Sequence, residues 1–312
     1  MAIGKAGNRS SGKWLELSLQ APAEYVEPLS VVFQRYGYGG VAVEQLGGPD
    51  PDDFQGEWEY PTAVLRCYIP VDRTTASRKE HIRVAVELIS RLCSLPPMGE
   101  RLLEEGEWME SWKKHFTVLH VGRIVICPTW KEYTPRPEEA VIMLDPGMAF
   151  GTGHHPTTRM CLSELEMLVR PGHNVLDVGT GSGILAIAAA KVGAQHVLAL
   201  DTDAVAVKAA RANVRANHMQ RRVRVERHSL IPGATSAIVF DLVVANLYSK
   251  IIMDMAPDLM ALLAPQGNLV VSGITAEKMP DVEACLQALG LELHHMSREG
   301  DWVALVGTKD RG

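Results

Sequence analysis

At 312 residues, with 46% hydrophobic and 22% charged residues, the chain has the size and composition of about two globular domains. A formal net charge of −6 argues against a general nucleic-acid binder, whose footprint is basic, and five scattered cysteines without a Cys-x-x-Cys pair fit neither a zinc site nor a disulfide framework. The opening MAIGKAGNRSSGK lacks the apolar stretch of a leader, and no apolar run approaches the roughly 18 residues of a membrane span, so a cytoplasmic protein without membrane contact is expected.

In chain order, WLELSL (14–19) alternates and puts Leu15, Leu17 and Leu19 on one face of a strand. Leu29, Val32, Phe33 and Tyr36 then recur at helical spacing, with Pro28 confining the start of that helix. VAVEQ (41–45) and TAVLRCYI (62–69) read as strands on either side of a Gly-, Pro- and Asp-rich loop. A second helix carries Ile82, Val86, Ile89 and Cys93 on one stripe, and a short strand near 101–105 completes β-α-β-β-α-β, a ferredoxin-like α+β order. A domain over 1–105, a linker over 106–117 and a second domain over 118–312 follow from the change of pattern after GEWMESWKKHF. In that linker Trp108 and Trp112 are expected to anchor by packing.

Beyond the linker, NVLDVG, HVLAL, FDLVVANL and NLVVSGI are nearly continuous apolar runs, each followed by a helical pattern. Strands buried on both faces by crossover helices have this composition, so a mainly parallel α/β sheet is expected. Ahead of the first run stands AFGTGHHPTT (149–158), with the composition of a metal site, a phosphate loop or a cradle for another charged ligand. Adjacent His154 and His155 are poorly placed to chelate one ion, and no Cys/His/Asp cluster supports them, so no metal is expected. Pro156 suits a first helical turn, which puts Thr157 and Thr158 beside free N–H groups, and the loop's glycines let Phe150 fold over a ligand.

NVLDVGTGSGILAIAAAKVG is a strand, a glycine turn and a helix. Gly179, Gly181 and Gly183 allow the backbone to turn tightly and approach a ligand, and the helix start offers free N–H groups. The dinucleotide spacing G-x-G-x-x-G would need glycine at 184, where Ile184 stands, and this disfavours an NAD-dependent oxidoreductase. Asp177, two residues before the first glycine, suits a ligand carrying an amine, as S-adenosylmethionine does. Asp201, at the tip of the next strand, is placed to bind two ribose hydroxyls, while Asp203 reads as a helix N-cap. Asn246 ends FDLVVANL at the same sheet edge, where its amide oxygen can hold a substrate amine. Arg221, Arg222, Arg224 and Arg227 read as protection of an exposed edge strand.

Together MLDPGMAFGTGHHPTT, LDVGTGSGILAIAA, DLVVANL and GEWMESWKKHF resemble the ribosomal protein L11 methyltransferase (PrmA) family. That resemblance implies a class I, Rossmann-like methyltransferase domain with a seven-stranded, mostly parallel sheet, and a smaller N-terminal domain that grips the substrate. It implies S-adenosyl-L-methionine as cofactor, touched at Thr158, Gly179, Asp201 and Asn246. The ligand loop itself adds Asp177, Gly181 and Gly183, and Asn246 and Phe150 are the candidates for catalysis. The resemblance further implies methylation of α-amino and lysine ε-amino groups of ribosomal protein L11, free or on the large subunit; a monomer is expected, and the net charge predicts no direct nucleic-acid contact. The alternative is a class I protein-lysine methyltransferase acting on a different protein. His154, where threonine is usual, and NLYSK (246–250), in place of NILA, are the chain's two departures from the family's pattern.

Overall fold

A computed structural model describes residues 12–22, 25–46, 62–104, 107, 117–144, 153, 155–230 and 239–310. Phe150, His154, Trp108 and Trp112 lie outside the described residues. The chain divides into two compact units, 1–117 and 118–312.

The first unit runs β1 (Lys13–Pro22), α1 (Val26–Tyr36), β2 (Tyr38–Leu46), β3 (Thr62–Pro70), α2 (Thr75–Ile89) and β4 (Gly99–Glu104). Its sheet has the order β2-β3-β1-β4 with every neighbouring pair antiparallel, so the β-α-β-β-α-β reading holds. Alternation along β1 sends Leu17, Leu19 and Ala21 into one core with Leu29 and Phe33 of α1 and Ile82 and Val86 of α2. Pro28 is the third residue of α1, inside the first turn, where a missing N–H leaves no helical bond unmade. Helix α2 ends at Ile89, so Cys93 lies beyond the stripe expected to include it.

The second unit opens with a small sheet of β5 (Leu119–Val121), β6 (Ile124–Pro128) and β7 (Ala140–Leu144). It continues with α3 (Pro156–Leu168), β8 (Asn174–Val178), α4 (Ile184–Val192), β9 (His196–Asp201), α5 (Ala204–Ala216) and β10 (Val223–Arg227). After these come β11 (Phe240–Asn246), α6 (Ser249–Leu262), β12 (Leu263–Thr275), α7 (Met279–Ala288), β13 (Leu291–Glu299) and β14 (Trp302–Lys309). The large sheet has seven strands in the order β10-β9-β8-β11-β12-β14-β13, and only β14 runs against the rest.

Both faces of this sheet are covered, which is why its strands read as unbroken apolar runs. Leu242 and Val244 of β11 enter the core beneath α3, α4 and α5, whereas Val243 and Ala245 enter the core beneath α6 and α7. The chain leaves β8 towards β9 and β10, then returns to β11 on the other side of β8. That reversal opens a crevice at the carboxyl ends of β8 and β11, the place where open α/β sheets bind ligands. Among the described residues no helix is long and apolar enough to cross a membrane.

Candidate functional site

The turn after β8 forms the floor of the crevice. Gly179, Gly181 and Gly183 have φ of +74°, +55° and +84°, the left-handed region that costs an L-residue roughly 1–2 kcal/mol. A Cβ on Gly179 would lie 2.5 Å from Leu247 Cδ2, and one on Gly183 would lie 3.1 Å from Ala210 Cβ, where α4 packs on α5. The N–H groups of Gly179 and Thr180 donate to the Leu200 carbonyl at 2.9 Å, fastening the turn to the tip of β9. The N-cap of α4 is Gly183, which has no side chain to cover the helix start.

We expect Gly179→Ala to lower stability by about 1–2 kcal/mol through its backbone strain and to weaken cofactor binding about tenfold or more by crowding the turn against Leu247. Gly172→Ala is the control, because Gly172 shares the left-handed conformation (φ +93°) but a Cβ there meets nothing within 4 Å. Thermal denaturation and calorimetry of the two variants should show similar strain but lost affinity only in the first; equal affinities would remove the turn from the ligand site.

Asp177 is fully buried, and its Oδ2 accepts from Thr180 Oγ1 at 2.6 Å and from the Ala186 N–H at 3.1 Å. Its Oδ1 is also buried and has no hydrogen-bond partner among the described residues. The carboxyl group thus braces the glycine turn from below. Burial pushes its pKa from 3.8 up to about 7, against the two hydrogen bonds and with a small push from the Asp201 charge.

Asp201 holds a backbone N–H on each oxygen: Gly181 on Oδ2 and Asp203 on Oδ1, both at 2.9 Å. Each oxygen keeps a second lone-pair position, so the carboxylate can still accept from hydroxyl groups. Asp203 caps α5 by accepting from the Val205 N–H at 2.9 Å, as its sequence position suggested.

The opening of α3 forms the opposite wall. Pro156 is its first residue, and His155 is its N-cap. The ring Nδ1 of His155 lies 2.7 Å from Thr157 Oγ1 and accepts from the Thr157 N–H at 3.4 Å. The ring meets Trp302 edge-on, centroids 4.9 Å apart. Burial, helped by the Arg159 charge, lowers the His155 pKa from 6.5 to about 4, so the ring is neutral at physiological pH and Nδ1 is free to accept. Arg159 pairs with Glu299 of β13, tying the helix start to the far side of the sheet. Thr157 and Thr158 are both buried.

Asn246, at the tip of β11, donates from Nδ2 to Thr158 Oγ1 at 3.4 Å. The fold thereby joins two expected site residues from opposite walls of the crevice. Beside them the Leu247 N–H donates to the Ser272 carbonyl at 2.9 Å, and Gly273 (φ +85°) leaves room for the Leu247 backbone. Among the described residues no group of three or more His, Cys, Asp or Glu is placed to hold a metal ion.

Three supporting residues escaped the sequence reading. Asn213 donates from Nδ2 to the Ser182 carbonyl at 2.9 Å, fixing the glycine turn from α5. Asn217 accepts from the Met143 N–H at 2.8 Å, linking α5 to β7. Leu247 fills the space that Gly179 and Gly273 leave. A signal for the first two was present: asparagines at 213 and 217 stand four apart on the same face of α5 as Val207, Ala210 and Val214.

Asp177 and His155 give the fold opposite pH dependences. A buried acid with a raised pKa costs stability as pH climbs from about 3.8 to about 7, because the folded state must then give up a proton that the unfolded state has already lost. A histidine with a lowered pKa costs stability as pH falls from about 6.5 to about 4, because only the unfolded chain takes up the proton readily. The melting temperature of Asp177→Asn relative to the unsubstituted protein should therefore rise between pH 4 and pH 8. A difference that stays constant across that range would show that Asp177 does not titrate in the folded state.

The family model described as ribosomal protein L11 methyltransferase (PrmA) matches residues 13–310. The ribosomal protein L11 methyltransferase of Chloroflexus aurantiacus is 44% identical, over 94% of this chain and 97% of its own. That of Halalkalibacterium halodurans is 39% identical, over 94% of this chain and 98% of its own. Among solved structures, the ribosomal protein L11 methylase of Lactobacillus delbrueckii subsp. bulgaricus superposes with a TM-score of 0.58 at 34% identity, covering 62% of this chain and all of that one.

Proposed function

Because the chain belongs to the ribosomal protein L11 methyltransferase family, we propose that it transfers methyl groups from S-adenosyl-L-methionine to α-amino and lysine ε-amino groups of ribosomal protein L11. The observation that carries this reading is the meeting of Thr158, the Gly179–Gly183 turn, Asp201 and Asn246 at the carboxyl rim of the large sheet. The cradle suits this ligand: three left-handed glycines leave no side chain over the turn, an acid at the second strand tip keeps lone pairs for the ribose hydroxyls, and the buried Asp177 braces the turn from below. In this reading Gly181 and Gly183 shape the cradle with Gly179, and Phe150 closes it from the loop.

S-adenosylmethionine brings a methyl group already activated by the sulfonium, so the protein's task is positioning. A lysine ammonium, with a pKa of roughly 10.4, must lose its proton before it can attack, and burial beside a positive charge favours that loss. Asn246 is neutral and its amide oxygen accepts, so it orients an amine without favouring the ammonium. Thr158 holds the Asn246 amide through Nδ2 and leaves Oδ1 for the substrate. The N-terminal unit is the substrate-recognition domain, and the enzyme works as a monomer in the cytoplasm.

The test is transfer of labelled methyl from S-adenosylmethionine to purified L11, located by mass spectrometry. Incorporation at the N-terminal amine and at lysines supports the reading. Labelling of other proteins but not L11 would leave the methyltransferase and replace its substrate, and the departure at Asn246–Lys250, where Tyr248 is 61% exposed, is where such a change would lie.

A further inference from the structure

We infer that the outer edge of the large sheet, where α5 packs beside β10, is a docking surface for an RNA phosphate backbone. Between residues 204 and 228 stand seven cations, Lys208, Arg211, Arg215, Arg221, Arg222, Arg224 and Arg227, against one acid, Glu226. All seven are exposed. In a chain of net charge −6 this is a local reversal of sign, which the average conceals.

Protection of an edge strand accounts for part of it. β10 is the sheet's edge, and Arg224 lies on it, paired with Glu226. Edge protection does not account for the cations on the neighbouring helix. Lys208, Arg211 and Arg215 follow one another at three and four residues, so they share one face of α5 over about 10 Å at a rise of about 1.5 Å per residue. With Arg227, Ala204 and Val207 they line a groove of about 230 Å³. Among the described residues none of these four cations has an ion-pair partner.

Two of the guanidinium groups are held in place by neutral acceptors. Arg211 donates from Nε and Nη2 to the Val225 carbonyl at 3.1 and 2.8 Å, and Arg227 donates from Nε to the Thr202 carbonyl at 3.1 Å. Carbonyl oxygens fix the orientation without cancelling the charge, and the remaining N–H groups suit the oxygens of a phosphate. About 10 Å of aligned cations spans about three nucleotide steps at roughly 3.4 Å each. Large apolar side chains that would enter a lipid surface are scarce beside this row, Val205 being the exposed one on α5. The choice of RNA among polyanions rests on the proposed substrate, a ribosomal protein. The inference runs against the expectation of no direct nucleic-acid contact, which net charge suggests.

The experiment is fluorescence anisotropy of a labelled RNA hairpin with the full chain, without cofactor or L11, over a series of salt concentrations. Phosphatidylglycerol vesicles form a parallel arm. Four phosphate contacts should give log affinity against log salt a slope of about −3. Lys208→Glu with Arg215→Glu should weaken RNA binding about tenfold or more and flatten the slope by about half, with melting temperature and methylation of free L11 unchanged. Absence of RNA binding, equal binding by the double variant, or tighter binding to the vesicles than to RNA would overturn the inference. RNA binding that persists in a protein unable to methylate L11 would uphold this surface while removing the proposed substrate.

Discussion

Asn246→Ala is expected to lower turnover about 100-fold, the scale on which misplacing a reacting group by an ångström acts. Asn246 ends a strand buried on both faces, so its backbone position is fixed by Val243, Val244 and Ala245 below it. Its side chain is oriented through Thr158 Oγ1 at 3.4 Å. Truncation to alanine leaves the strand and the α3 start in place and removes only the oriented amide, so folding should change little and any loss of cofactor affinity should be small beside the loss of turnover. Steady-state methylation of L11 beside calorimetry with S-adenosylmethionine separates the two effects. Normal turnover with unchanged cofactor binding would show that the substrate amine is held by something else. Thr158→Val is the companion variant: it keeps the shape, removes the hydroxyl that accepts from Nδ2, and should lower turnover by a smaller factor.

Removing the first unit should have a larger effect still, and a more selective one. A chain beginning at Val118 is expected to bind S-adenosylmethionine within about threefold of the full protein yet to methylate L11 about a thousandfold more slowly, the scale of advantage that a second binding module supplies. The cores are separate: one is built wholly from the first unit, and the two that sandwich the large sheet use residues from Leu119 onward. The crevice residues Thr158, Asp177, Gly179, Asp201 and Asn246 all belong to the second unit. Cofactor affinity should follow the second unit alone. Capture of a protein substrate needs a large contact area, and the first unit is the part of the chain available to provide it. Calorimetry and labelled-methyl transfer on the same preparation give both readings, and full transfer by the shortened chain would move substrate recognition into the methyltransferase domain.

Much of this architecture is legible in the residues themselves. The nearly continuous apolar runs at 174–178, 196–201, 240–246 and 268–274 read as strands covered on both faces, and the glycines at 179, 181 and 183 announce a tight turn under a helix start. Pro156 after His155, and Asp203 ahead of Ala204, mark helix beginnings because capping is decided within three residues. Such features depend on the chain's own periodicity and local hydrogen bonds, which a sequence states directly.

Tertiary structure decided the rest. That Thr158 meets Asn246 across 88 residues depends on the order β9-β8-β11-β12, and pairing order is set by long-range burial that no local pattern encodes. The same holds for Asp177: its position beside the turn suggested a ligand contact, yet whether an acid is solvated or enclosed is known only once α4 and the neighbouring strands close over it. Net charge sums over the whole surface, whereas the fold gathers Lys208, Arg211, Arg215 and Arg227 around one groove at the sheet's edge. Composition and periodicity fix what each segment becomes; which side chains end up facing one another, and in what dielectric, is fixed only by the packing of segments far apart in the chain.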